Sequence, residues 1–311
     1  MFLPIILFIV GVAVLLISAN VFVTQSSLFS ARLRLSPLII GTTVVAVGTS
    51  FPELVVSLIS AFEGDVGLAT GNIVGSNIIN TLLVLGLGIL FGSIRVGTTK
   101  TQKNTWVMVL VTAVFILSHL IWQQFVSGLI LLSLFIVFII MEVDWGIRGR
   151  IKEDLVKIKS MLHKPKLANG WLFCVSLIGV IVGGFITVNN SELISAMLGL
   201  STTVFGLSIT AVTTSLPELI VTIISTNKGQ EKIALGNILG SNICNLGLIG
   251  GLLLLHPGQT DLSPYVWSFL SGTAVLGLIV VTRFKGKIIP KWIGISFLIL
   301  LIGYLGLIIR I

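Results

Sequence analysis

Residues 41–80 read GTTVVAVGTSFPELVVSLISAFEGDVGLATGNIVGSNIIN, and residues 206–245 read GLSITAVTTSLPELIVTIISTNKGQEKIALGNILGSNICN. The two stretches align without a gap at a constant offset of 165, and about half of the positions are identical. The shared positions include Thr49/Thr214, Ser50/Ser215, Pro52/Pro217, Glu53/Glu218, Gly71/Gly236, Asn72/Asn237, Ser76/Ser241, Asn77/Asn242 and Asn80/Asn245. An apolar helix needs none of these residues. A Thr-Ser-x-Pro-Glu interruption at matching places of two halves marks the substrate site of a repeat-built transporter.

The rest of the chain supplies the setting. Of its 311 residues 55% are hydrophobic and 10% charged, with a mean hydropathy of +1.13, whereas soluble domains carry about a quarter charged residues. Runs long enough to cross a bilayer core of about 30 Å lie at 2–23, 37–61, 67–91, 104–122, 125–142, 170–189, 202–226, 233–255, 265–282 and 291–309. This predicts an all-α integral membrane protein of ten helices, five per half. The first run has no Lys or Arg before it and has the length of a span, so it is read as a retained helix rather than a signal peptide. Cys174 and Cys244 fall within apolar runs, which argues against a disulfide framework.

Charge fixes the expected orientation. With ten spans, 18 of the 19 Lys and Arg residues fall on one side and only Arg310 on the other, the asymmetry of a cytoplasmic face. Both termini are then expected outside and the 143–169 loop inside. The basic pI of 9.8 follows from that face against anionic lipid, and no nucleic-acid-binding motif is present. Three units are expected: residues 1–142, the cytoplasmic linker 143–169 and residues 170–311. Ile151, Leu155, Ile158, Met161 and Leu162 predict a short amphipathic helix on the inner leaflet. Because five is odd, the second half starts from the opposite side, so the repeats are inverted and their motifs meet near the midplane.

Only Glu53 and Glu218, of eleven carboxylates, lie deep in apolar runs. Each costs about 2.5–3.5 kcal/mol at a helix centre on insertion scales, so their default reading is functional. Pro52 and Pro217 free backbone carbonyls near Gly48 and Thr213, with Ala46 and Ala211 alongside. Thr49, Ser50, Thr214 and Ser215 add hydroxyls; Ser76, Asn80, Ser241 and Asn245 add hydroxyl and amide oxygens. An all-oxygen set without thiolate or imidazole suits Ca2+, Na+ or Mg2+. Two carboxylates balance one divalent ion, and exchange of one Ca2+ for three Na+ would be electrogenic.

The paired GTSFPE/TTSLPE and GNIVGSNIIN/GNILGSNICN motifs resemble the two alpha-repeats of the cation/Ca2+ antiporter family, and within it the prokaryotic sodium/calcium exchangers. The likeness covers nearly the whole chain. It implies that Glu53 and Glu218 are the principal cation ligands. Thr49, Ser50, Thr214, Ser215, Ser76, Ser241 and the carbonyls of Ala46 and Ala211 would complete the sites, with Asn80 and Asn245 alongside. It also implies alternating access, with the first and sixth helices sliding across a core. Some members, including potassium-dependent ones, carry Asp at the position of Asn245, so amides at both Asn80 and Asn245 argue against K+ co-transport. Thr213 stands where the family often has Gly.

The expected function is therefore exchange of Na+ for Ca2+ at the cell membrane, with no cofactor and no obligatory protein partner. A H+/Ca2+ antiporter of the same fold is the alternative, since the same glutamates can carry protons. An intramembrane enzyme is disfavoured by the lack of HExxH or a paired Asp in any span, and by the placing of His119, His163 and His256 at span ends or loops. A channel is disfavoured by the inverted, broken helices.

Overall fold

The computed structural model describes residues 2–33, 35–97, 99–121, 124–148, 168–196, 206–256 and 262–308. The described chain is helical apart from connections and one isolated antiparallel bridge, Arg95 to Ile288. The helices are α1 (Phe2–Leu33), α2 (Pro37–Thr49), α3 (Phe51–Phe62), α4 (Val66–Phe91), α5 (Thr99–Ile121) and α6 (Gln124–Arg148). The second half contains α7 (Gly170–Ala196), α8 (Leu207–Thr214), α9 (Leu216–Asn227), α10 (Glu231–Leu255), α11 (Pro264–Arg283) and α12 (Lys291–Ile308).

Among the described residues, seven continuous helices are long and apolar enough to cross a membrane, and the bent pairs α2/α3 and α8/α9 bring the number to nine. The remaining expected span, 104–122, is α5. It is a 23-residue helix whose first turns carry Lys100, Gln102, Lys103 and Asn104 and so dilute its apolar character. The amphipathic segment expected at 151–162 lies outside the described residues.

Local chemistry explains the breaks. Ser36 caps α2 by accepting from the Leu38 amide, with Pro37 at the first helical position, where its missing N–H costs nothing. The tight turns joining α3 to α4 and α9 to α10 hold Gly64 (φ 88°) and Gly229 (φ 66°), equivalent positions where only glycine is free of strain. Asp65 then caps α4 through the Leu68 amide at 2.9 Å.

Two apolar clusters divide the molecule. The larger gathers Ile73, Ile78, Leu82, Phe115, Leu131, Leu246 and Tyr304 among many others from α3–α6, α8 and α10–α12. The smaller holds Leu15, Ala19, Phe22 and Val23 of α1 and Val180 of α7, against Ile40 and Val45 of α2, Val221 of α9 and Ile233 of α10. The helices α1 and α7 pack along most of their length. They run longer than the apolar runs 2–23 and 170–189, since Gln25, Ser26, Ser30 and Asn190 continue them and are buried.

At the centre each repeat's amide-bearing helix crosses the other repeat's broken helix. A Cβ on Gly75 would stand 2.6 Å from the Ala211 Cβ and 2.9 Å from the Leu207 carbonyl, and one on Gly240 would stand 2.6 Å from both the Ala46 Cβ and the Thr42 carbonyl. These crossings bring the two motifs together. Away from them, Glu142 of α6 is 1% exposed, ion-paired with Lys100 at 3.2 Å and hydrogen-bonded by Thr42 Oγ1 at 2.7 Å. It ties the start of α2 to α5 and α6.

Gly240→Ala is expected to lower stability by about 1–3 kcal/mol, the cost of overpacking against backbone. Gly303→Ala, with open space around the added carbon, is expected to be neutral or stabilising. Thermal unfolding of the purified protein in detergent measures both.

Candidate cation site

Both broken helices stop at one serine. Ser50 (φ −79°, ψ 8°) separates α2 from α3 with a bend of 42°, and Ser215 (φ −80°, ψ 4°) separates α8 from α9 with a bend of 46°. Pro52 and Pro217 come second in the helices that follow, so their rings forbid continuation from the preceding turn while costing the new helix no donor. Thr213, in place of the glycine at 48, turns its hydroxyl back to the Ile209 carbonyl at 2.7 Å. The two bends keep the same geometry despite that difference.

Each bend brings a helix C-terminus and a helix N-terminus to one point. Glu53 and Glu218 stand in the first turns of α3 and α9, where the helix dipole favours a carboxylate. The ends of α2 and α8 present carbonyls, which favour a cation. Both carboxylates are 0% exposed, and among the described residues no Lys or Arg pairs with either.

The repeats serve each other's acids. Ser50 Oγ donates to Glu218 Oε1 at 2.9 Å, and Ser215 Oγ donates to Glu53 Oε1 at 3.3 Å. Ser241 Oγ donates to Glu218 Oε1 at 3.1 Å. Thr49 and Ser241 hydroxyls lie 3.4 Å apart, and their counterparts Thr214 and Ser76 lie 3.2 Å apart. The Ala46 carbonyl is 3.2 Å from Thr49 Oγ1 and 3.5 Å from Ser241 Oγ; the Ala211 carbonyl is 3.3 Å from Thr214 Oγ1. This network brings Ala46, Thr49, Ser50, Glu53, Ser76, Ala211, Thr214, Ser215, Glu218 and Ser241 together.

Asn80 and Asn245 enter differently. Each sits in a π-helical turn, Asn80–Val84 in α4 and Cys244–Ile249 in α10. The turn holding Asn80 packs against α9, which carries Glu218, and the turn holding Asn245 packs against α3, which carries Glu53. Both amides are fully buried with no protein hydrogen bond, as are Glu53 Oε2 and Glu218 Oε2. Buried polar atoms without partners are costly, and this set is rich in acceptors, which fits a bound cation.

Two residues outside the expected ligand set prove central. Asn72 donates to Ser57 Oγ at 3.0 Å and to the Glu53 carbonyl at 3.4 Å, while its Oδ1 accepts from Thr214 at 3.1 Å. Asn237 donates to the Glu218 carbonyl at 3.4 Å and accepts from Thr49 at 2.9 Å. Each amide braces a glutamate-bearing helix to the hydroxyl of the opposite repeat. Their recurrence in both GN motifs was the sequence signal. The π-helical turns, including Gly41–Val45 and Gly206–Thr210, left no such signal.

Two inverted, broken-helix repeats closing on a buried, oxygen-rich cluster with two carboxylates define a cation-handling membrane transporter of the secondary type. The chain belongs to the sodium/calcium exchanger protein family, whose model matches residues 3–143 and 169–310. It is 26% identical over 335 aligned positions to the sodium/calcium exchanger MaX1 of Methanosarcina acetivorans, covering 95% of each chain. It is also 34% identical over 265 positions to the inner membrane protein YrbG of Escherichia coli, covering 82% of this chain and 81% of that one. The fold superposes on that of the sodium-calcium exchanger NCX_Mj with a TM-score of 0.80 at 28% identity, covering 98% of both chains.

Asn237→Leu removes a brace, so it is expected to cost about 1–3 kcal/mol of stability with or without Ca2+. Glu218→Gln removes one of two buried charges and is expected to leave ion-free stability unchanged or higher. If Ca2+ binds at these acids, the same variant is expected to lose the rise in melting temperature that such binding would give by mass action. Melting curves with and without Ca2+ distinguish the two behaviours.

Proposed function

We propose that this protein is a Na+-driven Ca2+ antiporter that works by alternating access and moves net charge in each cycle. The observation that carries the reading is the crossed pairing of Glu53 and Glu218 with the hydroxyls of the opposite repeat. Around that pairing stand two carboxyl groups and eight neutral oxygen-bearing groups, all buried. Two carboxylates neutralise one Ca2+. The same charge accepts Na+ ions on the surrounding hydroxyls and carbonyls, and any exchange of more than two Na+ per Ca2+ is electrogenic.

In this reading Glu53 and Glu218 are ligands to both ions. Thr49, Ser50, Thr214, Ser215, Ser76, Ser241 and the Ala46 and Ala211 carbonyls complete the coordination, and Asn80 and Asn245 supply amide oxygens from the π-helical turns. The absence of a third carboxylate at these two positions supports independence from K+. The division into two apolar clusters supports a mechanism in which α1 and α7 move as a pair across the rest. Their interface with α2, α3, α8 and α9 is the surface that would slide, exposing the site to one side and then the other. The names borne by MaX1 and NCX_Mj support Na+ and Ca2+ as the substrates. The Lys and Arg asymmetry supports both termini outside a cell membrane and the 143–169 segment in the cytoplasm.

Uptake of radiolabelled Ca2+ into Na+-loaded proteoliposomes tests this. Uptake is expected to require the outward Na+ gradient and to respond to an imposed membrane potential. Glu53→Gln and Glu218→Gln are each expected to reduce it by roughly ten- to a hundredfold or more, the kinetic equivalent of losing one charged interaction of about 1.5–3 kcal/mol. Uptake driven by a pH gradient and indifferent to Na+ would overturn the Na+ coupling.

A further inference from the structure

Beside the glutamates, α4, α5, α10 and α11 enclose a second polar place. Five polar side chains line a cleft there: Asn77, Thr81, Thr112, Asn242 and Thr273. Four of these five play no part in the crossed network of the transport site, and the fifth, Thr81, is known there only through its neighbour Asn80. Asn77, Asn242, Thr81, Thr112 and Thr273 are each 3% exposed.

The hydrogen bonds of this cleft commit its donors: those of Asn77 and the three threonines go to backbone carbonyls, and that of Asn242 stays within the lining. Asn77 Nδ2 donates to the Ile73 carbonyl at 2.9 Å. Thr81, Thr112 and Thr273 hydroxyls donate to the carbonyls of Asn77 (3.1 Å), Met108 (2.8 Å) and Leu270 (3.0 Å). Since the Thr81 proton is committed, Thr81 Oγ1 accepts from Asn242 Nδ2 at 3.3 Å, and that same amide lies 3.5 Å from Met108 Sδ. These bonds orient both amides, so that Asn77 Oδ1 and Asn242 Oδ1 are left buried with no protein partner. The lining thus offers lone pairs from five oxygens against one uncommitted N–H, the second hydrogen of Asn77 Nδ2. Such a surface asks for a cation or for a molecule that only donates. The cleft is too narrow to admit a sphere the size of a water molecule. A bare Na+ or Li+ ion is smaller than water, whereas K+ is about its size.

We infer that the cleft lined by Asn77, Thr81, Thr112, Asn242 and Thr273 is a second cation site, distinct from the glutamate site and selective for a small monovalent ion of the Na+ class. Neutral oxygens with no carboxylate suit a monovalent ion, because a divalent one would remain uncompensated. Occupancy would be felt next door. Thr81 belongs to the π-helical turn Asn80–Val84, and Asn77 follows Ser76 directly, so an ion held between them fixes the backbone that positions Asn80 and Ser76. The site would therefore make Na+ an effector of the transport site as well as an ion that passes through it. The second site needs only the geometry of the cleft, whereas its role as an effector rests on the proposed transport of Na+.

Binding of radiolabelled Na+ to the purified full chain tests it, with the glutamate site disabled by Glu53→Gln together with Glu218→Gln. One Na+ per chain is expected to remain bound in that variant, displaced by Li+ and not by K+. Adding Thr112→Val and Thr273→Val, which keep side-chain volume but remove two oxygens, is expected to abolish the remaining binding. Asn242→Asp in the same background places a carboxylate in the cleft and is expected to tighten Na+ binding at least severalfold, a gain that misfolding cannot imitate. Loss of all Na+ binding in the double glutamine variant would overturn the second site, as would residual binding indifferent to the threonine and aspartate substitutions or equal competition by K+. Wild-type protein that binds no more Na+ than the double glutamine variant would count against Na+ at the glutamate site while leaving the second site standing.

Discussion

A carboxylate taken out of water and given no cationic side chain must be compensated by dipoles, by an ion or by both. Glu53 and Glu218 stand under that requirement together, and much of the fold can be derived from it. The helices break at Ser50 and Ser215 because only a break puts helix N-termini, with their positive dipole ends, under the two acids. The breaks sit inside the protein because free backbone cannot face lipid. The opposite repeat must then be close enough to lend its hydroxyls, which explains why glycine stands at 75 and 240, where backbone meets backbone. Compensation by the protein remains incomplete, with one oxygen of each carboxylate unpartnered. A fully satisfied pair of acids would hold no ion, and a less satisfied pair would not stay buried.

Much of this could be read in the sequence. The duplicated Thr-Ser-x-Pro-Glu placed both breaks within a turn, near Gly48 and Thr213 where the bends fall at Ser50 and Ser215, and the spacing of 165 paired each side chain with its counterpart. Helix ends were less legible at α1 and α7. Both continue past their apolar runs through polar residues that are buried, Gln25, Ser26 and Ser30 in α1 and Asn190 in α7, and composition cannot separate a polar residue facing protein from one facing water. The π-helical turns had no signature because an added residue per turn is decided by tertiary packing around Asn80 and Asn245, not by propensity. The ion pair of Glu142 and Lys100 was invisible for a similar reason: each lies at a span end, where solvated charge is the ordinary case. Asn72 and Asn237 were visible as repeated residues, but their role as braces depends on contacts between repeats that no single motif contains.

The crossed pattern also shapes how the two halves share work. Neither repeat completes a site alone, since the acid of each is hydrogen-bonded by a serine of the other. Asymmetries lie on the periphery. Thr42 is held by Glu142, whereas at the equivalent position the Leu207 carbonyl accepts from Tyr304 at 3.0 Å. The centre is thus close to two-fold while its anchorage is not.

Gly184 of α7 lies where a Cβ would be 3.1 Å from Cγ of both Pro52 and Pro217. A single backbone point therefore bears on both hinges at once, like a finger laid across two keys. In the proposed sliding, a displacement of α7 would press or release the two half-sites in unison, so neither side could keep its own time.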